Sequence, residues 1–400
     1  MRWALASLVV LAAVAFAVVA LARPVPPVKL VSEQVSDAFP GRPAALAWPR
    51  GGEAAVGVQG VGLIGSRRSD RSVPIASVAK VMTAYLVLRD HPLPPRASGP
   101  EIAVTPADVE VYDADLAAGG SVTPVSAGER LSERQALEAL LVPSANNVAT
   151  LLAQWDAGSE AAFVAKMNAE ARTLGLTGTH YVDASGVGTE TVSTARDQVR
   201  LAMLALKIPA FAETVALPQV TLPVAGLQHS YDRLLGRYGI VGVKPGSTSA
   251  AGACFVFAAH KTVGGRVVTV VGAVLGQPLM PGQTSRLDAA FYATTALLVS
   301  ASRNLERVPL ARPASALAWL RAPWTHAVAV RPTAAVSFVG WPGLPMQAHI
   351  VAVRHLVAPV RHGQVVAVVV ATAGAQHAEF NLGASSALPS PSLGWRLAHP

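Results

Sequence analysis

The sequence has one cysteine, Cys254, which rules out an intramolecular disulfide. It lies in the apolar run Ala253-Cys-Phe-Val-Phe-Ala-Ala, away from any His or Cys partner, and reads as core packing rather than as a nucleophile. Charge is scarce too, at 14% of residues, and the basic residues include only six lysines: Lys29, Lys80, Lys166, Lys207, Lys244 and Lys261. The formal net charge of +8 is therefore carried mainly by arginine. No basic run alternates with aromatics, so this charge reads as attraction to anionic surfaces such as lipid or wall polymer, and nucleic acid is not an expected partner. Internal repeats and a second membrane-length apolar run are also missing. What remains is a 400-residue chain with 52% hydrophobic content, long enough for one large core and a smaller second unit.

The amino terminus is the one long apolar run. From Trp3 to Ala22 there is no charge, and about 20 helical residues at 1.5 Å each span a bilayer core of roughly 30 Å. Ala20-Leu21-Ala22 fits a small-residue cleavage pattern, but Arg23-Pro24 directly after it argue for a retained anchor with the remainder outside. Residues 24–42, rich in proline and polar residues, read as a stalk. Residues 43–302 read as one large domain. Two short strands in "AAVGVQGVGLIGS" are followed by helical segments: "PIASVAKVMTAYLVL", "LSERQALEALLVPSANNVATLLAQW", "SEAAFVAKMNAEARTLGL" and "STARDQVRLAMLALKI". Strands then return in "GIVGVKPGS", "ACFVFAAHK" and "RVVTVVGAVLG", and "SRLDAAFYATTALLVSA" reads as a closing helix. Ser132 and Gln135 form a capping box, and "TVGG" a hairpin turn. This order predicts an α/β fold, an antiparallel sheet flanked by helices with an all-helical subdomain, in which the first and last strands share one sheet. Residues 309–400 alternate with period two and read as a small all-β domain.

Three small motifs can carry chemistry. Ser77 and Lys80, in S-V-A-K, are spaced to share a helix face, so the amine can reach the hydroxyl. Serine needs a base, and lysine serves only if burial or a neighbouring cation lowers its pKa. Ser144 and Asn146 follow Pro143 in "LLVPSANNVATLL", where the plain reading is a helix cap. Lys244 and Gly246 lie in "GVKPGST", a strand-like stretch in which glycine allows close backbone approach. Each motif alone is common. His180 has no partner at ligand spacing and reads as structural; no metal or cofactor is expected. Arg286 fits no motif securely.

Taken together and in this order, S-x-x-K, S-x-N and K-x-G match the signature of serine β-lactamases and penicillin-binding proteins. Residues 45 to 300 resemble the serine D-alanyl-D-alanine carboxypeptidases, the low-molecular-mass penicillin-binding proteins, also in "GLTGTHYVDASGVG", "TVSTARD" and "GSTSAAGACFVFAA". The resemblance implies a β-lactamase/transpeptidase-like fold and a peptidoglycan stem peptide ending in D-Ala-D-Ala as substrate. It also implies inhibition by β-lactam antibiotics and action at the extracytoplasmic face of the bacterial membrane, or in the wall if the leader is cleaved. By the same resemblance Ser77 is the nucleophile, Lys80 the general base and Ser144 a proton relay. Asn146, Lys244, Gly246, Ser247 and Thr248 bind substrate, with the N–H groups of Ser77 and Ser247 as oxyanion donors. The E-x-x-L-N string of class A β-lactamases is missing from this sequence, whereas a DD-endopeptidase would share every motif. One departure stands out: Pro245 occupies the place of the usual threonine, which makes a catalytically impaired homologue the other alternative.

Overall fold

The computed structural model describes residues 2–32, 38–42, 45–279 and 285–399, with the side chains of residues 2, 4 and 5 left aside. The chain forms two compact units, one of residues 44–305 and one of residues 1–43 together with 306–400.

In the second unit the amino-terminal apolar run is a helix, α1 (Arg2–Ala22). Its side chains are described without a break only from Ala6, and over the described residues no helix is long and apolar enough to cross a membrane. Lys29–Ser32, within the expected stalk, is an edge strand paired antiparallel with Ala318–Ala322; residues 33–37 of that segment lie outside the described residues. The sheet continues through Thr325–Pro332, Gln376–Ala384, Val365–Ala373 and Met346–Ala352, all antiparallel, with Glu306–Ala311 and Val336–Gly340 as a separate pair.

The unit of residues 44–305 is built on a five-stranded antiparallel sheet. Its strands are β1 (Glu53–Val58), β2 (Gly62–Arg67), β3 (Ile240–Thr248), β4 (Gly252–Val263) and β5 (Arg266–Gln277), in the spatial order β3-β4-β5-β1-β2. The expected closure of first on last is the β5–β1 pairing, from Val270 opposite Val58 to Leu275 opposite Glu53. Gly264 and Gly265, with φ of 53° and 79°, make the tight turn between β4 and β5, a left-handed pair that residues with a Cβ adopt only at a cost. Residues Ala253–Ala259 of β4 are all buried. Helices cover the sheet: α6 (Ala195–Ala205) lies on β1 and β5, and α8 (Arg286–Arg303) on β4 and β5, while the short α7 (Pro209–Val215) packs on β3. In the chain between β2 and β3 lie α2 (Lys80–Asp90), α3 (Glu133–Leu141), α4 (Asn146–Ala157) and α5 (Glu160–Thr173), which pack on one another as the helical subdomain. The capping box is formed, with Gln135 N donating to Ser132 Oγ (3.2 Å) and Ser132 N to Gln135 Oε1 (2.9 Å).

Helix α2 is the centre of that subdomain. Val81, Met82, Ala84, Leu86 and Val87 are completely buried, and such burial around a helix marks it as a core element. Any polar side chain on it must therefore find partners inside the protein.

Glu53, at the start of β1, is also buried. Its carboxylate accepts from Ala195 N (3.2 Å) at the first turn of α6. Burial pushes its pKa up to about 8, against the opposing hydrogen bonds. The unfolded chain ionises near 4.5 and releases its proton first, so this group costs stability progressively from about pH 4.5 to about 8. Glu53→Gln is expected to remove that slope and to stabilise the protein at pH 8 by about 2–4 kcal/mol. Thermal unfolding of both proteins across pH 4–8 checks it, and parallel Tm profiles would contradict it.

Candidate active site

Ser77 sits in a 3-10 turn, Ala76–Ala79, and the α-helix begins only at Lys80. The helix face expected to carry both residues thus begins as a tighter turn, and the difference favours the pairing: residues i and i+3 eclipse in a 3-10 turn. Lys80 Nζ lies 3.0 Å from Ser77 Oγ. It also donates to Asn146 Oδ1 (2.7 Å) and to the carbonyl of Ser185 (2.9 Å).

Burial and a neighbouring cation favour the neutral form of this amine. Lys80 is completely buried; that burial, then the nearby charge of Lys244, holds its pKa well below the ordinary lysine value, with Asp183 and Asp115 opposing. A neutral amine has two N–H donors and one lone pair. Two of its three partners are carbonyl oxygens, which can only accept, and the third is the one hydroxyl. In the neutral form the lone pair then faces Ser77 Oγ, the geometry of a base removing that proton.

The loop that supplies the Ser185 carbonyl is organised by a carboxylate for which the sequence reading had no role. Asp183 Oδ1 accepts from Ser185 N (2.8 Å), Ser185 Oγ (2.9 Å), Gly186 N and Val187 N (3.2 Å), and Oδ2 from Gly188 N (2.9 Å) and Thr191 Oγ1 (2.8 Å). Burial alone would raise its pKa, but these hydrogen bonds outweigh it and hold the carboxyl below its usual range. One turn along α2, Thr83 Oγ1 donates to the carbonyl of Ala184 (2.6 Å) and fixes the same loop. An acidic residue followed by small residues and glycines, as in D-A-S-G-V-G, is the sequence signal for such a nest of N–H donors.

Ser144 and Asn146 are not caps. The residue capping α4 is Ala145, with no side-chain hydrogen bond. Asn146 instead gives its side-chain oxygen to Lys80, and its N–H to the carbonyl of Ser121 (2.8 Å). Ser144 has φ of 65°, and its buried hydroxyl has no hydrogen-bond partner among the described residues. Ala76, just before Ser77, has φ of 49°. Two residues with a Cβ in the left-handed region, both beside the same cleft, are backbone strain that the surrounding packing must hold. Asn147, also missed from sequence, clamps Thr123 through both backbone groups, accepting from its N (3.1 Å) and donating to its O (2.9 Å).

On the opposite wall β3 is the sheet edge, and Pro245 pairs with Phe255 of β4. An edge strand tolerates proline because one side of its ladder is free. Lys244 is completely buried and donates to the Pro245 carbonyl (3.2 Å). Burial lowers its pKa to about 7, opposed by Asp232. Asp232, another residue the sequence reading passed over, is raised to about 6 by its own burial and accepts from Leu234 N (2.9 Å). A Cβ at Gly246 would lie 2.8 Å from Ser77 N and 3.0 Å from Val78 N, so the strand meets the turn backbone to backbone. Thr248 Oγ1 accepts from Ala251 N (3.0 Å), while Ser247 is exposed. Between the walls lies a cavity of about 180 Å³, lined by the hydroxyl-bearing Ser77, Ser121, Ser144 and Ser247 and by Tyr231, Pro245 and Leu287.

Ser77, Lys80, Ser144, Asn146, Lys244, Gly246 and Ser247 are thus brought together around one cleft, whereas the Thr248 hydroxyl is occupied in a turn. His180 is exposed and contributes its backbone to a bridge with Val192. Arg286 is exposed at the start of α8. The Cys254 thiol is buried and pushed up to about 12, as befits core packing.

A sheet flanked by helices with a serine and a buried lysine at the seam defines a serine hydrolase of the penicillin-binding class. The chain belongs to the family Peptidase_S11, D-alanyl-D-alanine carboxypeptidase, whose model matches residues 58–275. It is 35% identical over 215 residues to the D-alanyl-D-alanine carboxypeptidase DacB2 of Mycobacterium tuberculosis, covering 52% of this chain and 69% of that protein. It is 34% identical over 200 residues to a D-alanyl-D-alanine endopeptidase of Pseudomonas aeruginosa, covering 48% of this chain and 61% of the relative's length. In fold it is similar to a peptidoglycan synthesis regulatory factor (PBP3) of Streptococcus pneumoniae, with a TM-score of 0.65 at 21% identity, over 86% of this chain and all of that one.

Because no room exists for a methyl at position 246, Gly246→Ala is expected to push β3 away from the turn. Reaction of Ser77 with a fluorescent penicillin should slow by about ten-fold or more with the far-UV circular dichroism unchanged, a loss near 1.4 kcal/mol. A variant labelled at the parent rate would show that the contact yields.

Proposed function

We propose that this protein is a serine DD-carboxypeptidase that removes the terminal D-alanine from peptidoglycan stem peptides. The observation that carries this reading is the three-way environment of the Lys80 amine, two carbonyls and the Ser77 hydroxyl. Ser77 Oγ attacks the carbonyl of the penultimate D-alanine as its proton passes to Lys80. The backbone N–H groups of Ser77 and Ser247 stabilise the oxyanion. Ser144, with its unpartnered hydroxyl, relays the proton to the leaving amine. Asn146 bonds the peptide, and Lys244 both repels a proton from Lys80 and attracts the anionic end of the substrate. Water then releases the shortened peptide, whereas a β-lactam leaves a slowly hydrolysed acyl-enzyme. Helix α1 anchors the chain, and the rest works at the extracytoplasmic face of the membrane.

Pro245 lowers the rate without abolishing it. The missing hydroxyl corresponds to one hydrogen bond to a charged group, roughly 1.5–3 kcal/mol, or about ten- to hundred-fold. Labelling by fluorescent penicillin should occur and disappear in Ser77→Ala; an unlabelled, folded parent would sink the hydrolase reading. Pro245→Thr should accelerate labelling by about ten-fold, and a variant no faster than the parent would show that the proline is harmless.

A further inference from the structure

The net charge of this chain is not spread evenly. Residues 1–43 and 306–400, which form one unit, hold eleven lysines and arginines against four acids, +7 of the total of +8. A unit so one-sided repels itself and is suited to an anionic partner. Within it, basic side chains converge where α1 ends. There α1 meets a short helix, α9 (Leu393–Ala398), and Arg396 Nη2 donates to the carbonyls of Leu21 and of Arg23, the latter at 2.7 Å. These are carbonyls that a helix end leaves unpaired, so one nitrogen of Arg396 answers the negative end of α1. Nε and Nη1 of Arg396 and the whole Arg23 guanidinium have no partner among the described residues. His399 donates Nδ1–H to the Trp395 carbonyl (3.0 Å) and stacks on the Trp395 ring, 4.5 Å between centroids, which leaves Nε2 open.

Arg23, Val25, Trp395, Arg396 and His399 line a pocket of about 220 Å³, with no carboxylate among its lining residues. That volume is below what a drug-sized ligand needs and suits a head group. The surface around it is apolar: Leu393 and Leu397, one turn apart on α9, are exposed, as are Leu21 and Val25, and Trp324 packs edge-on against Trp395. Arginines beside exposed leucines and tryptophans, at the end of a 21-residue apolar helix, make the composition of a membrane interface. Resting on the reading above that α1 anchors the chain, we propose that this pocket binds the phosphate of an anionic phospholipid head group. Arg23 and Arg396 supply the planar forks that phosphate oxygens accept from, and His399 one further donor. A free phosphate shares that chemistry but leaves the leucines uncovered. Phosphatidylcholine would bring its own cation to a site that already holds two.

Native mass spectrometry of the full-length protein, released from mixed micelles of phosphatidylglycerol and phosphatidylcholine, reads the preference directly. The expected result is one retained phosphatidylglycerol, favoured at least about ten-fold and not displaced by millimolar inorganic phosphate. Arg23→Gln removes a guanidinium that holds nothing else in place, and it should cut the preference by about ten-fold with Tm unchanged. Equal retention of the two lipids, a variant with the parent's preference, or displacement by inorganic phosphate would each overturn the lipid site. Extraction of the membrane-bound protein with alkaline carbonate reads anchoring separately. Release without detergent removes the anchor reading and the site with it, whereas a protein that stays in the membrane and shows no lipid preference removes the site alone.

Discussion

The arrangement of the catalytic unit follows from one uncomfortable fact, an amine with no access to water. Lys80 lies on a helix surrounded by the core, and burying an ammonium there without full compensation is costly. The protein solves this by favouring the neutral form and giving that form its partners. One carbonyl comes from the Asp183 loop, one from the Asn146 side chain, and the hydroxyl from the turn before α2. Each provider is fixed in turn: the loop by the hydrogen bonds to Asp183, Asn146 by its own N–H on Ser121, and the turn by the close approach of β3 at Gly246. Lys244 adds electrostatic pressure from the sheet side.

Much of this was legible in the sequence because it is written in local patterns. The apolar runs of β4 and β5, the two glycines of their turn and the Ser132–Gln135 box each report a local preference that the fold respects. The three motifs and their order brought out most of the cleft. What stayed hidden was what depends on distant packing. Asp232 reads as one more loop acid until burial places its charge against Lys244, 12 positions on in sequence. Ser121 and Asn147 look like ordinary polar residues, and only the fold brings them to the rim and clamp of the cleft. Even Ser77 was read slightly wrongly, since helix periodicity does not distinguish an α-turn from the 3-10 turn that brings serine and lysine into line.

A buried carboxyl and a buried lysine opposed by a carboxylate make different demands near the sheet. Glu53 is a carboxyl kept protonated at the entrance of a helix, a local stability cost at neutral pH. Burial pushes Lys244 down to about 7 and Asp232 up to about 6, so that the charge behind the cleft changes near neutral pH.

The contact between Gly246 and the Ser77 turn separates two kinds of change that sequence alone would rank together. At position 246 the issue is a few tenths of an ångström between two backbones, and a methyl group there moves the nucleophile itself. At position 245, one residue earlier on the same strand, the side chain faces the cleft and the ladder tolerates even proline. One position is a mechanical stop and its neighbour a tunable contact, so substrate preference can drift along this strand while the machinery that breaks the bond stays in register.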